Sequence, residues 1–176
     1  KARIEPPYPK SWLGVPLLVE NKIIGTICLQ SFEHTQYSQT EIEILEFIAT
    51  QIAVTVHRVQ LDDKIRKLSQ SVEQSPISIL ITNTKGEIEY LNENFTKVTG
   101  YTLDEVRGQH HRLFVDPTFA QSSEYQEFWA KLNRGEYASD AFRRIGKGGK
   151  VVWIQASYNP ILDLNGKPFK VVKYAV

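Results

Sequence analysis

The chain has 176 residues, 41% of them apolar, with 21 Lys and Arg against 20 Asp and Glu, which supplies one or two ordinary cores and excludes a disordered chain. A nucleic-acid partner is excluded by the near-zero charge, because a phosphate backbone is held by a concentrated basic excess that displaces its counterions. The longest apolar runs, WLGVPLLV and residues 48–56, fall far short of the roughly 20 residues that span a bilayer, and no signal peptide opens the chain, so a cytoplasmic setting is expected.

Residues 12–31 read as two apolar, β-branched runs separated by the polar triplet Glu20, Asn21 and Lys22, the pattern of a hairpin. The single cysteine, Cys28, lies in the second run and reads as a buried inert thiol; alone it forms neither an internal disulfide nor a cysteine-rich zinc site. Ser38 and Glu41 form a capping box that starts a helix. Leu45, Ile48, Ile52, Val56 and Val59 then recur at helical spacing, predicting the face that covers the hairpin. A second series, Leu61, Ile65, Leu68 and Val72, has spacings of 4, 3 and 4 with charged residues between, the seam of a coiled coil, and predicts a parallel homodimer.

Pro76 ends the helix, and the pattern changes to strands. Strands are predicted over 77–83 and 87–91 around the turn Thr84-Lys85-Gly86. A short helix capped by Asn92 runs to Gly100, and a second opens on the Thr102/Glu105 capping box and closes at Gly108. A longer helix over 123–133, ended by Gly135, carries Tyr125, Phe128, Trp129 and Leu132 on one face. Three strands follow, at 136–145, 150–158 and 168–175. The fold class is therefore α+β: a five-stranded antiparallel sheet with flanking helices, preceded by a hairpin and a long helix.

The run ILITNTKGEIEYLNENFTKVTGYTLDEVRGQ resembles the opening of a PAS domain, with Gly86, Ile88, Asn92 to Phe95, Thr99, Gly100, Tyr101, Glu105 and Gly108 at the matching positions. The remainder of 75–176 is similar to PAS domains of methyl-accepting chemotaxis proteins and multi-sensor histidine kinases. Residues 11–60 resemble the end of a GAF domain through the hairpin PLLVENKIIGTICL and the helix after it. The expected organisation is a partial GAF domain at 1–58, a helical connector at 59–74 and a PAS domain at 75–176. Lys rather than Met comes first and the last apolar run stops without a turn, so both ends read as cut. The resemblance implies sensing and relay to a downstream output, a histidine kinase or a chemoreceptor signalling domain.

A PAS pocket houses haem in some relatives, which makes His110 and His111 candidate ligands for an axial position. Flavin is the other cofactor the resemblance offers, with Trp129 and Trp153 as stacking rings. Covalent flavin photochemistry needs a cysteine, and residues 73–176 contain none. His110, His111 and Asp116 lack metal-ligand spacing, so no metal is expected. The stretch RRIGKGGK, with Arg143, Arg144, Lys147 and Lys150, reads as a solvated hairpin tip rather than a phosphate loop. No nucleophile with a base partner is visible, and no catalytic activity is expected. On the strand at 150–158, Val151, Trp153, Gln155 and Ser157 share one face, and Val152, Ile154, Ala156 and Tyr158 the other. The large ring of Trp153 and the amide of Gln155 assign the first set to the helix side, making these two residues ligand contacts opposite Phe128, Trp129 and Leu132.

Overall fold

The computed structural model describes residues 8–34 and 36–176; residues 1–7 and 35 of the expected first domain lie outside it. The chain divides into two compact units, 1–67 and 68–176.

In the first unit, β1 (Ser11–Val19) and β2 (Lys22–Ser31) form an antiparallel hairpin. Glu20 and Asn21 both have positive φ, 47° and 62°, the left-handed pair that a tight two-residue hairpin turn requires. The helix α1 (Gln39–Glu73) starts where the capping box puts it: Ser38 N–H donates to Glu41 Oε2 at 2.7 Å, and Glu41 N–H to Ser38 Oγ at 3.3 Å. Its buried face differs from the expected one. Leu45, Ala49 and Ala53 are buried and pack with Val15, Leu13, Leu17 and Ile27, whereas Ile48, Ile52 and Val59 are exposed. Small alanines let the helix approach the hairpin closely, so the stripe rotates from the bulky residues to the small ones. Cys28 is also exposed, contrary to expectation: Ile27 takes the inward position on β2, and its neighbour faces away.

In the second unit, five strands form one antiparallel sheet in the order β4-β3-β7-β6-β5: β3 (Ser78–Asn83), β4 (Ile88–Leu91), β5 (Ala138–Ile145), β6 (Val151–Leu162) and β7 (Pro168–Ala175). Between β4 and β5 lie α2 (Glu93–Thr99), α3 (Leu103–Val106), a 3-10 turn (His111–Phe114), α4 (Pro117–Ala120) and α5 (Ser123–Asn133). The strand β6 continues beyond the expected 158 because Pro160 falls where β6 pairs with β7 alone, β5 having ended opposite Tyr158. One apolar cluster joins Leu80, Ile88, Leu91, Phe95, Val106 and Phe114; a second joins Leu132, Ile154, Ala156, Tyr158, Val171 and Ala175.

Asn92 is fully buried and organises the entry to this sheet. Its Oδ1 accepts from Phe95 N–H (3.1 Å), capping α2, and from Ile79 N–H (2.8 Å). Its Nδ2 donates to Val72 and Ile77 carbonyls at 3.1 and 2.9 Å. Asn94 Nδ2 adds a bond to Pro76 O (2.8 Å), and Tyr90 Oη bonds Glu73. The end of α1 within this unit is thus fastened by Asn92, through the Val72 carbonyl, and by Tyr90, through Glu73. Asn92→Ala strands buried backbone groups on both sides and is expected to cost about 2–4 kcal/mol, against about 1 kcal/mol or less for the half-buried Asn94→Ala. Urea unfolding of both variants checks the difference.

Candidate functional site

The inward residues of β5, β6 and β7 meet α5 and the 3-10 turn, and among them lie two buried cations. Arg144 is 4% exposed and Lys173 3%. No Asp or Glu is buried among the described residues, and neither cation makes an ion pair there. Arg144 Nη2 donates to Tyr158 Oη (3.0 Å) and Nη1 to the Arg143 carbonyl (2.9 Å); the guanidinium carbon stands 4.5 Å from the Phe142 ring centre. Its Nε is buried without a partner. Lys173 Nζ lies 5.2 and 5.7 Å from the ring centres of Phe95 and Tyr158, positions at which ring quadrupoles attract a cation.

The hydrogen-bond directions follow from donor inventory. Guanidinium only donates, so the Tyr158 oxygen accepts from Arg144, and its one hydrogen is left for His111 Nε2 at 3.2 Å. Neutral His111 then carries its hydrogen on Nδ1 and donates to Tyr125 Oη at 3.0 Å. His111 is completely buried, and its ring is stacked with Tyr125. Burial, followed by the charges of Lys173, Arg144 and His110, holds its pKa well below the ordinary histidine value. Burial pushes the Tyr125 phenol up to about 12. Trp129 Nε1 is buried and completes no hydrogen bond, although it lies near enough to the Tyr125 hydroxyl to offset part of that rise.

The sequence candidates separate. His110, His111 and Trp129 come together: the Trp129 ring centre is 5.6 Å from that of His110 and 5.7 Å from that of His111. His110 Nδ1 accepts from Arg112 N–H at 3.0 Å, so this residue caps the 3-10 turn. Gly86, with φ of +80°, leaves room for it; a Cβ there would stand 2.7 Å from His110 Nε2 and 2.9 Å from Trp129. Trp153 and Gln155 do not join them. Trp153 is 71% exposed and Gln155 is exposed, while Ile154, Ala156 and Tyr158 face the helices. The expected facing of β6 is therefore corrected: three apolar inward positions outweigh one large ring, and Ala156 is small enough to admit the neighbouring aromatic side chains. Arg144 corrects the solvated-tip reading, since it alternates inward with Phe142 along β5. The other cations of that stretch are also engaged: Arg143 pairs with Asp116 (3.1 Å), Lys147 with Glu105, and Lys150 Nζ donates to the Val98 carbonyl.

These contacts bear on the two cofactors considered. Both His111 nitrogens are occupied by phenols, so it presents no lone pair to a haem iron. Phe128, Phe142 and Tyr158 pack between α5 and the sheet with ring centres 4.9–6.2 Å apart, and Trp153 is on the other face of the sheet; these residues do not fit a flavin ring stacked between Trp129 and Trp153. Among the described residues no group of three His, Cys, Asp or Glu is placed to hold a metal ion.

A family model described as the PAS fold matches residues 88–175, half of the chain. The chain belongs to the PAS family. A GAF domain model matches residues 1–56. The biofilm dispersion protein BdlA of Pseudomonas aeruginosa is 36% identical over 128 residues, covering 72% of this chain and 30% of that protein. The aerotaxis receptor of Escherichia coli is 30% identical over 81 residues, 46% of this chain and 16% of that protein. The chain thus spans less than a third of either. The PAS domain of an HTR-like protein from Haloarcula marismortui superposes with a TM-score of 0.59 at 19% identity, covering 69% of this chain and 98% of that one, a likeness of fold. The α+β assignment and both family resemblances hold.

Within the PAS core the hydrogen-bond chain makes stability depend on pH. His111 is faced by Tyr125 of α5, Arg144 of β5, Tyr158 of β6 and Lys173 of β7. Its folded pKa is depressed, so below the ordinary value near 6.5 the unfolded chain binds the extra proton, and stability falls with acidification at about 1.4 kcal/mol per pH unit. Denaturant titrations between pH 7.5 and 5.5 should show this fall steeper in the native protein than in His111→Gln; equal slopes would remove the assignment.

Proposed function

We propose that the chain is a non-catalytic sensory relay and dimerisation module: the PAS domain changes conformation on binding a ligand and passes that change along helices to an output domain, a histidine kinase or a chemoreceptor signalling domain. The division 1–58, 59–74 and 75–176 is part of this reading. The observation that carries it is the fastening of Val72 and Glu73, at the end of α1, to Asn92 and Tyr90 of the PAS sheet. A shift of β4 or α2 pulls on that helix end through these polar contacts. Relatives that carry similar sequence are a dispersion protein and an aerotaxis receptor, which agrees with signalling. No helix among the described residues is long and apolar enough to cross a membrane, and the balanced charge argues against nucleic acid. Within the PAS core His110, His111 and Trp129 lie together and are the residues that a ligand-induced change would move.

Fusing the dimerisation and catalytic domains of a histidine kinase after Val176 tests the relay. Autophosphorylation that shifts in Asn92→Ala or Tyr90→Phe, both in folded chains, is the expected result; a kinase indifferent to both would end the proposal.

The module acts as a parallel homodimer through α1. Leu61, Ile65, Leu68 and Val72 are all exposed along one helix, an apolar seam with coiled-coil spacing. Replacing Ile65 and Leu68 by Asp places uncompensated charge in that seam. Sedimentation should show a dimer for the native chain and a monomer for the double variant; two monomers would contradict the seam.

A further inference from the structure

We infer that the PAS unit binds a small organic anion, a carboxylate carried on an apolar body, in the cavity that opens onto Arg144. The inference rests on the sensor reading above and names the class of ligand it would take. A cavity of about 360 Å³ lies between the segment carrying Val115, Asp116 and Phe119 and the β5 residues Phe142, Arg143 and Arg144. That volume is at the small end of ligand pockets, which run from about 300 to 1,000 Å³. Its walls supply apolar surface from Val115, Phe119 and Phe142, and Arg144 supplies charge.

Arg144 has the character of an unfilled half of an ion pair. A guanidinium has five N–H donors, and those of Arg144 meet one phenol oxygen and one carbonyl, while Nε meets nothing. Buried charges are ordinarily paired, since the loss of hydration is otherwise uncompensated. Here the neighbouring buried charge, Lys173, has the same sign, and Arg144 contributes to holding the Lys173 ammonium below its ordinary value. An anion beside Arg144 would relieve both groups, and the planar fork of guanidinium matches a carboxylate.

The carboxylates near the cavity do not take that place. Asp116 is 41% exposed at the side chain and already pairs with Arg143. Asp140 is exposed, and its Oδ1 accepts from Ala141 N–H at 2.7 Å. Both stand at the solvent edge, where screening weakens but does not abolish their repulsion of an incoming anion. A ligand with its charge at Arg144 and its apolar body against Phe119 and Phe142 satisfies the depth and the mouth together.

Thermal unfolding of the full chain, at constant ionic strength, tests this with butyrate, benzoate and phenylacetate against their neutral amides. At about 10 mM a millimolar ligand adds RT ln(1 + [L]/Kd) to stability and should raise the midpoint by about 2–5 °C. At least one carboxylate should do so where its amide does not, with the shift lost in Arg144→Gln and kept in Arg143→Gln. Should Arg144→Gln fail to fold, Asp116→Asn decides: removing a rim carboxylate is expected to enlarge the carboxylate shift. No shift in the native chain, a shift shared by the amides, one that survives in folded Arg144→Gln, or one that Asp116→Asn leaves unchanged when Arg144→Gln does not fold overturns the inference. The readout is independent of any output domain. A kinase fusion that answers to Asn92→Ala in a chain that binds none of the three removes the anion and leaves the relay, and the opposite pair of results removes the relay alone.

Discussion

The hydroxyl of Tyr158 joins Arg144 to His111, and through it to Tyr125, in the centre of the PAS domain. Arg144 can only donate, so Tyr158 accepts from it, and the arrangement that also uses the Tyr158 hydrogen has it donating to a neutral His111, which in turn donates to Tyr125. Four side chains on α5, the 3-10 turn, β5 and β6 are thereby held in one ordered sense. Protonating His111 would give Nε2 a hydrogen aimed at an oxygen whose own hydrogen already points back, and the chain would have to reorganise. The fold tolerates the buried cations through aromatic surfaces: Phe142 lies under Arg144, and Phe95 and Tyr158 lie beside Lys173. No Asp or Glu among the described residues is buried beside them.

Asn92 does for the edge of the domain what Tyr158 does for its centre. A single amide caps α2 and holds β3 through Ile79 on its oxygen side, while its nitrogen side holds the carbonyls of Val72 and Ile77. His111 connects the two regions sterically as well. Its ring meets Phe114 of the first apolar cluster at 6.1 Å and Tyr158 of the second at 5.6 Å. A change at Arg144 therefore reaches the 3-10 turn in two hydrogen bonds, and the turn packs in the same cluster as Phe95, whose backbone N–H is bound by Asn92.

Elements whose cause is local were legible in the sequence. The Ser38/Glu41 and Thr102/Glu105 boxes, the Asn92 cap, the left-handed Gly86, Gly100 and Gly108 and the 123–133 helix all depend on residues within a few positions of one another. Facing was less legible, because it depends on what the opposite element offers. The α1 stripe moved to Ala49 and Ala53 since only the hairpin surface says whether bulk or closeness is favoured. Trp153 was given to the interior on the size of its ring, although the competing set Ile154, Ala156 and Tyr158 carried more apolar surface in total. Arg144 was hidden by its neighbours: among Arg143, Lys147 and Lys150 it read as one charge of a solvated tip, and only the β5 alternation starting from Phe142 could have turned it inward. His111 stood in the candidate set for a ligand role, and its partners Tyr125 and Tyr158 lie 14 and 47 positions away, beyond the reach of local pattern.

The geometry of α1 bears on how one helix can serve a hairpin and a helix partner. Advancing about 100° per residue, Leu45, Ala49 and Ala53 drift through about 80° of the helix surface, the width of one packing face. Leu61, Ile65, Leu68 and Val72 fall within a band of about 60°, centred about 130° from the first. The apolar band therefore lies on surface that the hairpin does not use, and its spacing is the one that the proposed coiled-coil pairing needs. Ion pairs of Asp63 with Arg66 and Lys67, both at 2.7 Å, stand on the side of the helix away from that band; exposed as they are, they add little stability. Asn92 holds the carbonyl of Val72, the last residue of that band, so a twist or shift of the PAS entry acts on one end of the apolar stripe rather than on its middle.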